Sequence, residues 1–198
     1  VTNAIRNKNS DAYIYGEILG LSGLSITAYT KYMNVTDSSY GGVVRSALKS
    51  KKASLGLANY GFTGSQKADN VLWVESHDTF TTDPADSGSS NKLTIEQQIV
   101  GWGVIGARKE APALYLVRTN CAELDVNPTL VSIKYDELIG APGAADTWKN
   151  PVVKAVNQFK NEFVGQSEAT YNNGSLFFVQ RGTTGMVISN LATGSATV

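Results

Sequence analysis

Apolar residues fall into short runs separated by polar or glycine-rich stretches, and the spacing switches between the periods of strand and helix. The opening "VTNAIRNKN" reads as the end of a helix. Residues 12–16 of "SDAYIYGEIL" form an apolar and aromatic run closing at Gly16-Glu17, which predicts a strand. After the loop "GLSGLS", the stretch "AYTKYMNVTD" at 28–37 alternates loosely and predicts a second strand. "SSYGGVVRSALKSKK" has helical spacing from about 39 to 50, with Ser38 or Ser39 as its cap. "ADNVLWVES" predicts a third strand over 70–75, followed by the polar loop "DPADSGSSNKLT". "LTIEQQIVGWGVIGARK" is helical, starting at Thr94 or Asn91, and its glycines 101, 103 and 106 point to close packing against a neighbour. "APALYLV" at 111–117 is a fourth strand, and "PVVKAVNQFKNEFV" is a helix with Pro151 in its first turn. "GSLFFVQRGTTGMVISNL" reads as two strands joined in a hairpin by "RGTTG".

Before residue 165 the order is strand, strand, helix, strand, helix, strand, helix, an α/β pattern with parallel strands. A closed eight-stranded barrel takes about 250 residues. Here 1–165 supply four strands, so this is either a small open sheet or the back part of something larger. The composition shift near 165–174 divides the chain into 1–165 and 166–198.

Charge and cysteine content narrow the partners. Lys+Arg and Asp+Glu are each 17, and the net charge is zero, which disfavours nucleic acid and suits a neutral ligand. No apolar run approaches the roughly 18 residues of a membrane helix, so no membrane partner is expected. Cys121 is the only cysteine and reads as a buried apolar residue. The chain starts at Val1 without methionine, so an upstream segment is expected.

Ligands of parallel α/β folds meet the carboxyl ends of the strands. Polar residues there are Glu17, the sole histidine His77 with Asp78 in "VLWVESHDTF", and Arg118, Thr119 and Asn120; Glu75 lies nearer the strand body. Two carboxylates facing one substrate suit glycosidic cleavage, which needs an acid for the leaving oxygen and negative charge near an oxocarbenium ion. A neutral histidine beside them can hydrogen-bond a sugar hydroxyl. Tyr13, Tyr15, Tyr60 and Trp73 are candidate stacking surfaces, although core packing is the commoner fate of such rings. A lone glutamate after a strand is more often a solvated loop acid. His77 alone builds no metal site, and "GLSGLS" lacks the lysine of a phosphate loop.

"VLWVESHDTF" resembles the block after the seventh barrel strand of the α-amylase family, which ends in a His-Asp pair, and "YIYGEIL" resembles the block of the fifth strand, which carries the catalytic glutamate. "ALYLVRT" looks like the eighth strand, and "VNQFKNEFVGQSEATYNNGSLFFVQRGTTGMVISNL" resembles the last barrel helix passing into the C-terminal antiparallel domain. The resemblance implies the C-terminal half of a (β/α)8 TIM barrel, strands five to eight near 12–16, 30–36, 70–75 and 112–117, then a truncated β domain. The 119–149 segment would lie on the active-site face. Glu17 would be the general acid/base, Asp78 the further acid that stabilises the distorted sugar, and His77 a substrate ligand, with Tyr60, Glu75 and Arg118 as subsite candidates.

The implied activity is retaining, endo-acting hydrolysis of α-1,4-glucans such as starch, glycogen or maltodextrins. The alternatives are a non-catalytic carbohydrate-binding or interaction fragment, an α-glucan transglycosylase, and an α-1,6-acting hydrolase. The fourth-strand block with the family's nucleophilic aspartate is absent from the sequence, so the chain alone is expected to be inactive and to pair with a complementary N-terminal fragment. Calcium would be held mainly outside this chain. Ser76 stands where chloride-dependent members have asparagine, which implies no chloride. The expected location is secreted or on the surface of a bacterium, with the cytoplasm as the alternative.

Overall fold

The computed structural model of the chain describes residues 1–18, 25–82, 85–118 and 144–197, without the side chains of 81 and 144–146. Four short parallel strands lie side by side in chain order: β1 (Tyr15–Gly16), β2 (Asn34–Thr36), β3 (Asn70–Trp73) and β4 (Ala113–Leu114). Tyr15 pairs with Asn34, Val35 with Asn70, and Trp73 with Leu114. Three longer strands, β5 (Glu168–Asn173), β6 (Leu176–Arg181) and β7 (Gly185–Asn190), form a separate antiparallel sheet.

The helices are α1 (Thr2–Lys8), α2 (Ile26–Tyr29), α3 (Ser38–Ser50), α4 (His77–Thr81), α5 (Ile95–Gly106) and α6 (Pro151–Glu162), with short 3-10 turns at Leu55–Ala58, Lys67–Asp69 and Ala144–Lys149. The cap of α3 is Asp37, whose Oδ1 accepts from the Tyr40 amide, and not Ser38 or Ser39. Thr94 caps α5 in a reciprocal pair with Gln97, and Pro151 opens α6 behind the Asn150 cap.

Three readings from the pattern change. The expected second strand at 28–37 begins inside the helix Ile26–Tyr29, and only 34–36 of it is extended. The strand expected over 70–75 ends at Trp73, and from His77 the chain forms the capped helix α4. The antiparallel sheet has three strands; the polar "EATYNN" run pairs with β6 along its whole length.

Leu72 and Val74 on β3 and its extension join Val44 and Leu48 of α3, Val104 and Ile105 of α5 and Val153 and Val156 of α6 in one core. Phe177 and Val179 of the second sheet and Leu191 just after it belong to that same core. The glycines of α5 permit this. An added methyl at Gly101 would meet Val74 at 2.9 Å, at Gly103 it would meet Ser189 at 2.6 Å, and at Gly106 it would meet Val156 at 2.9 Å. Strand, second sheet and α6 thus each approach one glycine.

Candidate functional site

Successive strand residues face opposite sides of a sheet. Leu72 and Val74 face the helices, so Trp73 and Glu75 face the other way, and both line an open cleft of about 330 Å³ at the carboxyl ends of the parallel strands. Its other walls are Tyr15 and Glu17 after β1, Thr36 of β2, Ser76 and His77 at the start of α4, and Leu114, Tyr115 and Leu116 at β4. Glu17 and His77, 60 positions apart in the sequence, therefore share one groove. Their side chains are exposed to solvent.

Asp78 is not a wall residue but adjoins one: its Oδ1 lies 3.1 Å from His77 Nε2, with the two side chains 62% and 67% exposed. The turn that presents them is fixed by a capping box. Ser76 Oγ accepts from the Thr79 amide at 3.3 Å, and Thr79 Oγ1 accepts from the Ser76 amide at 3.0 Å. Ser76, considered in the sequence only for its bearing on chloride, thus sets the start of α4.

Glu75 and Arg118 come together, but as a buried ion pair. Arg118 Nε donates to Glu75 Oε1 at 2.7 Å and Nη2 to Oε2 at 2.8 Å. Gln98 Nε2 adds a third bond to Oε1 at 2.6 Å and also donates to the Leu116 carbonyl. Both carboxylate oxygens of Glu75 are engaged inside the wall. Arg45 stands behind Trp73, its guanidinium 4.9 Å from the ring centroid and Nη1 donating to the Val74 carbonyl at 2.9 Å. Burial draws the Arg45 pKa down to about 10 against the opposing pull of Glu75.

Tyr60 is placed elsewhere. It is buried against Tyr40, with Arg108 over its ring, and does not line the cleft. Burial raises its pKa to about 12. Thr119, Asn120 and Cys121, and 119–143 as a whole, lie outside the described residues. Gln98 and Arg45 escaped the sequence reading because a polar residue inside an amphipathic helix gives no sign of pointing toward a sheet. Among the described residues no group of three His, Cys, Asp or Glu side chains is arranged to hold a metal ion. Nor is any described helix long and apolar enough to cross a membrane.

Comparison with known proteins supplies the ancestry. Over 194 residues, 96% of its length, the chain is 34% identical to an α-amylase of Clostridium acetobutylicum. The chain is homologous to the α-amylase family. An α-amylase of Butyrivibrio fibrisolvens is 33% identical over 174 residues, 82% of the chain. The chain spans 22% and 17% of these two α-amylases, about a fifth of their length. The fold matches that of α-amylase I from Eisenia fetida, with a TM-score of 0.61 at 18% identity, over 91% of this chain and 41% of that one. A mutant of that α-amylase with maltohexaose matches equally, at 0.61 and 17%. No family model matches the chain.

Proposed function

We propose that the chain is the second half of the catalytic barrel, with the start of the following β domain, of a retaining endo-acting α-1,4-glucan hydrolase. One observation carries the reading: an α-amylase homologue has Glu17 and His77 on one cleft at the carboxyl ends of parallel strands, with Asp78 against His77. In this reading β1 to β4 are barrel strands five to eight.

Glu17 protonates the departing glycosidic oxygen as the C–O bond breaks, and in the second half-reaction takes a proton from the attacking water. Asp78 places negative charge near the positive anomeric centre of the transition state. His77, oriented by the start of α4, hydrogen-bonds sugar hydroxyls. Glu75 is committed to Arg118 and Gln98, which leaves it no free oxygen for attack; the resemblance implies that the nucleophile is the fourth-strand aspartate, whose block this sequence lacks. Calcium, as the resemblance implies it, would be held mainly by residues outside this chain. Tyr60 has no part in this scheme. Export to the cell surface or medium of a bacterium fits an enzyme of polymeric glucans.

The test is hydrolysis of maltoheptaose by the full-length protein that carries this sequence. Short maltooligosaccharides should accumulate, and Glu17→Gln should cut kcat by about 10²–10⁴-fold while sugar binding persists. Full activity in Glu17→Gln, or longer transfer products in place of hydrolysis, would overturn the assignment.

A further inference from the structure

We infer that Arg118 is a positioning residue: buried beneath the cleft, it holds the His77-Asp78 turn in place through Ser90 and Phe80, with Glu75 fixing its guanidinium. The inference rests on the hydrolase reading above for its catalytic consequence, not for its geometry.

Arg118 follows β4, whereas the turn follows β3, and the two are joined by contacts made inside the protein. Glu75 holds the guanidinium by Nε and Nη2 together. The remaining donors reach the loop after α4: Nη1 to the Leu93 carbonyl at 2.7 Å and Nη2 to the Ser90 carbonyl at 3.1 Å. Ser90 in turn grips α4, its amide donating to the Thr79 carbonyl at 2.8 Å and its hydroxyl 3.1 Å from Thr79 Oγ1. Thr79 closes the capping box with Ser76, the residue before His77. Independently, the guanidinium lies 5.0 Å from the Phe80 ring of the same helix. Arg118, Glu75 and Ser90 are all buried.

Filling such a space with apolar side chains would serve stability equally well, because desolvation offsets most of the attraction in a buried pair. The planar fork supplies direction instead: it engages one carboxylate and two carbonyls at fixed angles. His77 and Asp78 sit exposed on a five-residue helix, and Ser90 bonds that helix at Thr79 through both its amide and its hydroxyl. Lysine carries the charge but not the fork, so Arg118→Lys can keep the ion pair yet cannot reach Ser90 and Leu93 together.

The experiment uses the full-length protein. In Arg118→Lys, kcat on maltoheptaose should fall about 10–100-fold with KM changed less than about threefold, the effect of a small misplacement of catalytic groups. The loss should overlap with that of His77→Ala, so that the double variant is worse than His77→Ala by less than about threefold. Amide exchange at Ser90 should accelerate in Arg118→Lys. Thr79→Val leaves the ion pair and the backbone bonds of Thr79 whole, removes the hydroxyl that meets Ser90 Oγ and accepts from the Ser76 amide, and should lower kcat in the same direction. Glu168→Gln, which loosens an ion pair outside the cleft, should lower stability and leave kcat unchanged. Wild-type kcat in both Arg118→Lys and Thr79→Val, or losses that multiply fully with that of His77→Ala, would overturn the inference. An inactive wild-type protein would sink the hydrolase reading alone. In that case unchanged Ser90 exchange in Arg118→Lys would refute the brace, and faster exchange would support it.

Discussion

The guanidinium of Arg108, just past the end of α5, meets the carboxylate of Glu168, the first residue of the antiparallel sheet, with Nε donating to Oε1 at 2.9 Å. The same arginine donates to Tyr40 Oη at 3.1 Å and to the Leu57 and Ala58 carbonyls at 2.8 Å each, while Glu168 also accepts from the Lys109 amide. One buried arginine therefore ties α3, the 3-10 turn at Leu55–Ala58 and α5 to the second sheet. Removing the carboxylate leaves that charge without its partner. Glu168→Ala should cost about 2–4 kcal/mol, and Arg108→Met in the same chain should recover most of it. Urea unfolding of these two variants and of Arg108→Met alone measures both; additive losses would show that the pair does not couple the sheets.

Lys160 of α6 lies in the same region, donating to the Ala111 carbonyl, with Arg181 and Glu168 nearby. Burial lowers its pKa to about 8, the charge of Arg181 adds to the shift, and Glu168 opposes it. A lysine with a depressed folded value binds fewer protons folded than unfolded, so its contribution to stability rises between about pH 8 and its ordinary 10.5. Above pH 10 the trend is opposed by Tyr40 and Tyr60, which burial holds protonated to about 12. Lys160→Met should remove the rise between pH 8 and 10, worth about 1–2 kcal/mol once its partly exposed head is allowed for. The difference between the two unfolding-versus-pH curves reads it directly; parallel curves would contradict it.

Gly101 sits in the middle of α5, where alanine would ordinarily gain about 1 kcal/mol of helix propensity. Here the new methyl would lie 2.9 Å from Val74 and 3.1 Å from Leu48, both buried. Overpacking costs about 1–3 kcal/mol, so it should win, and Gly101→Ala should lower the thermal midpoint. A raised midpoint would mean that the interface between α5 and β3 yields more easily than its packing indicates.

The three long helices were legible because each carries an apolar stripe and an end signal, Thr94 and Pro151 most clearly. The glycines of α5 were legible too as points of close approach. α4 was not, because "HDTFT" is too short for a period and its capping box uses Thr79 where the usual signal is Glu or Gln. β5 was missed because its outward-facing residues are polar and only its pairing with β6 makes it a strand. In the cleft, Glu17 and His77 were legible from their places after apolar runs, since parallel strands put such ends on one side. The partnership of Glu75 with Arg118 across 43 positions was not, and neither was the burial of Tyr60. Sequence shows that a residue is charged or aromatic but not which face of its element meets a neighbour.

Asp37 illustrates the same limit and gives a sharp prediction. It is only 2% exposed, and it serves two segments: Oδ1 accepts from the Tyr40 amide at 2.9 Å and Oδ2 from the Gly61 amide at 2.6 Å. A simple cap would tolerate asparagine, which keeps one acceptor oxygen. At this position the asparagine NH2 would face a backbone N–H, setting donor against donor in a buried space. Asp37→Asn should therefore cost nearly as much as Asp37→Ala, about 2–4 kcal/mol, whereas Ser39→Ala should stay within about 0.5 kcal/mol. Denaturant unfolding of the three variants decides the point. An Asp37→Asn protein close to wild type would reduce Asp37 to an ordinary helix cap and leave the Gly61 turn held by other contacts.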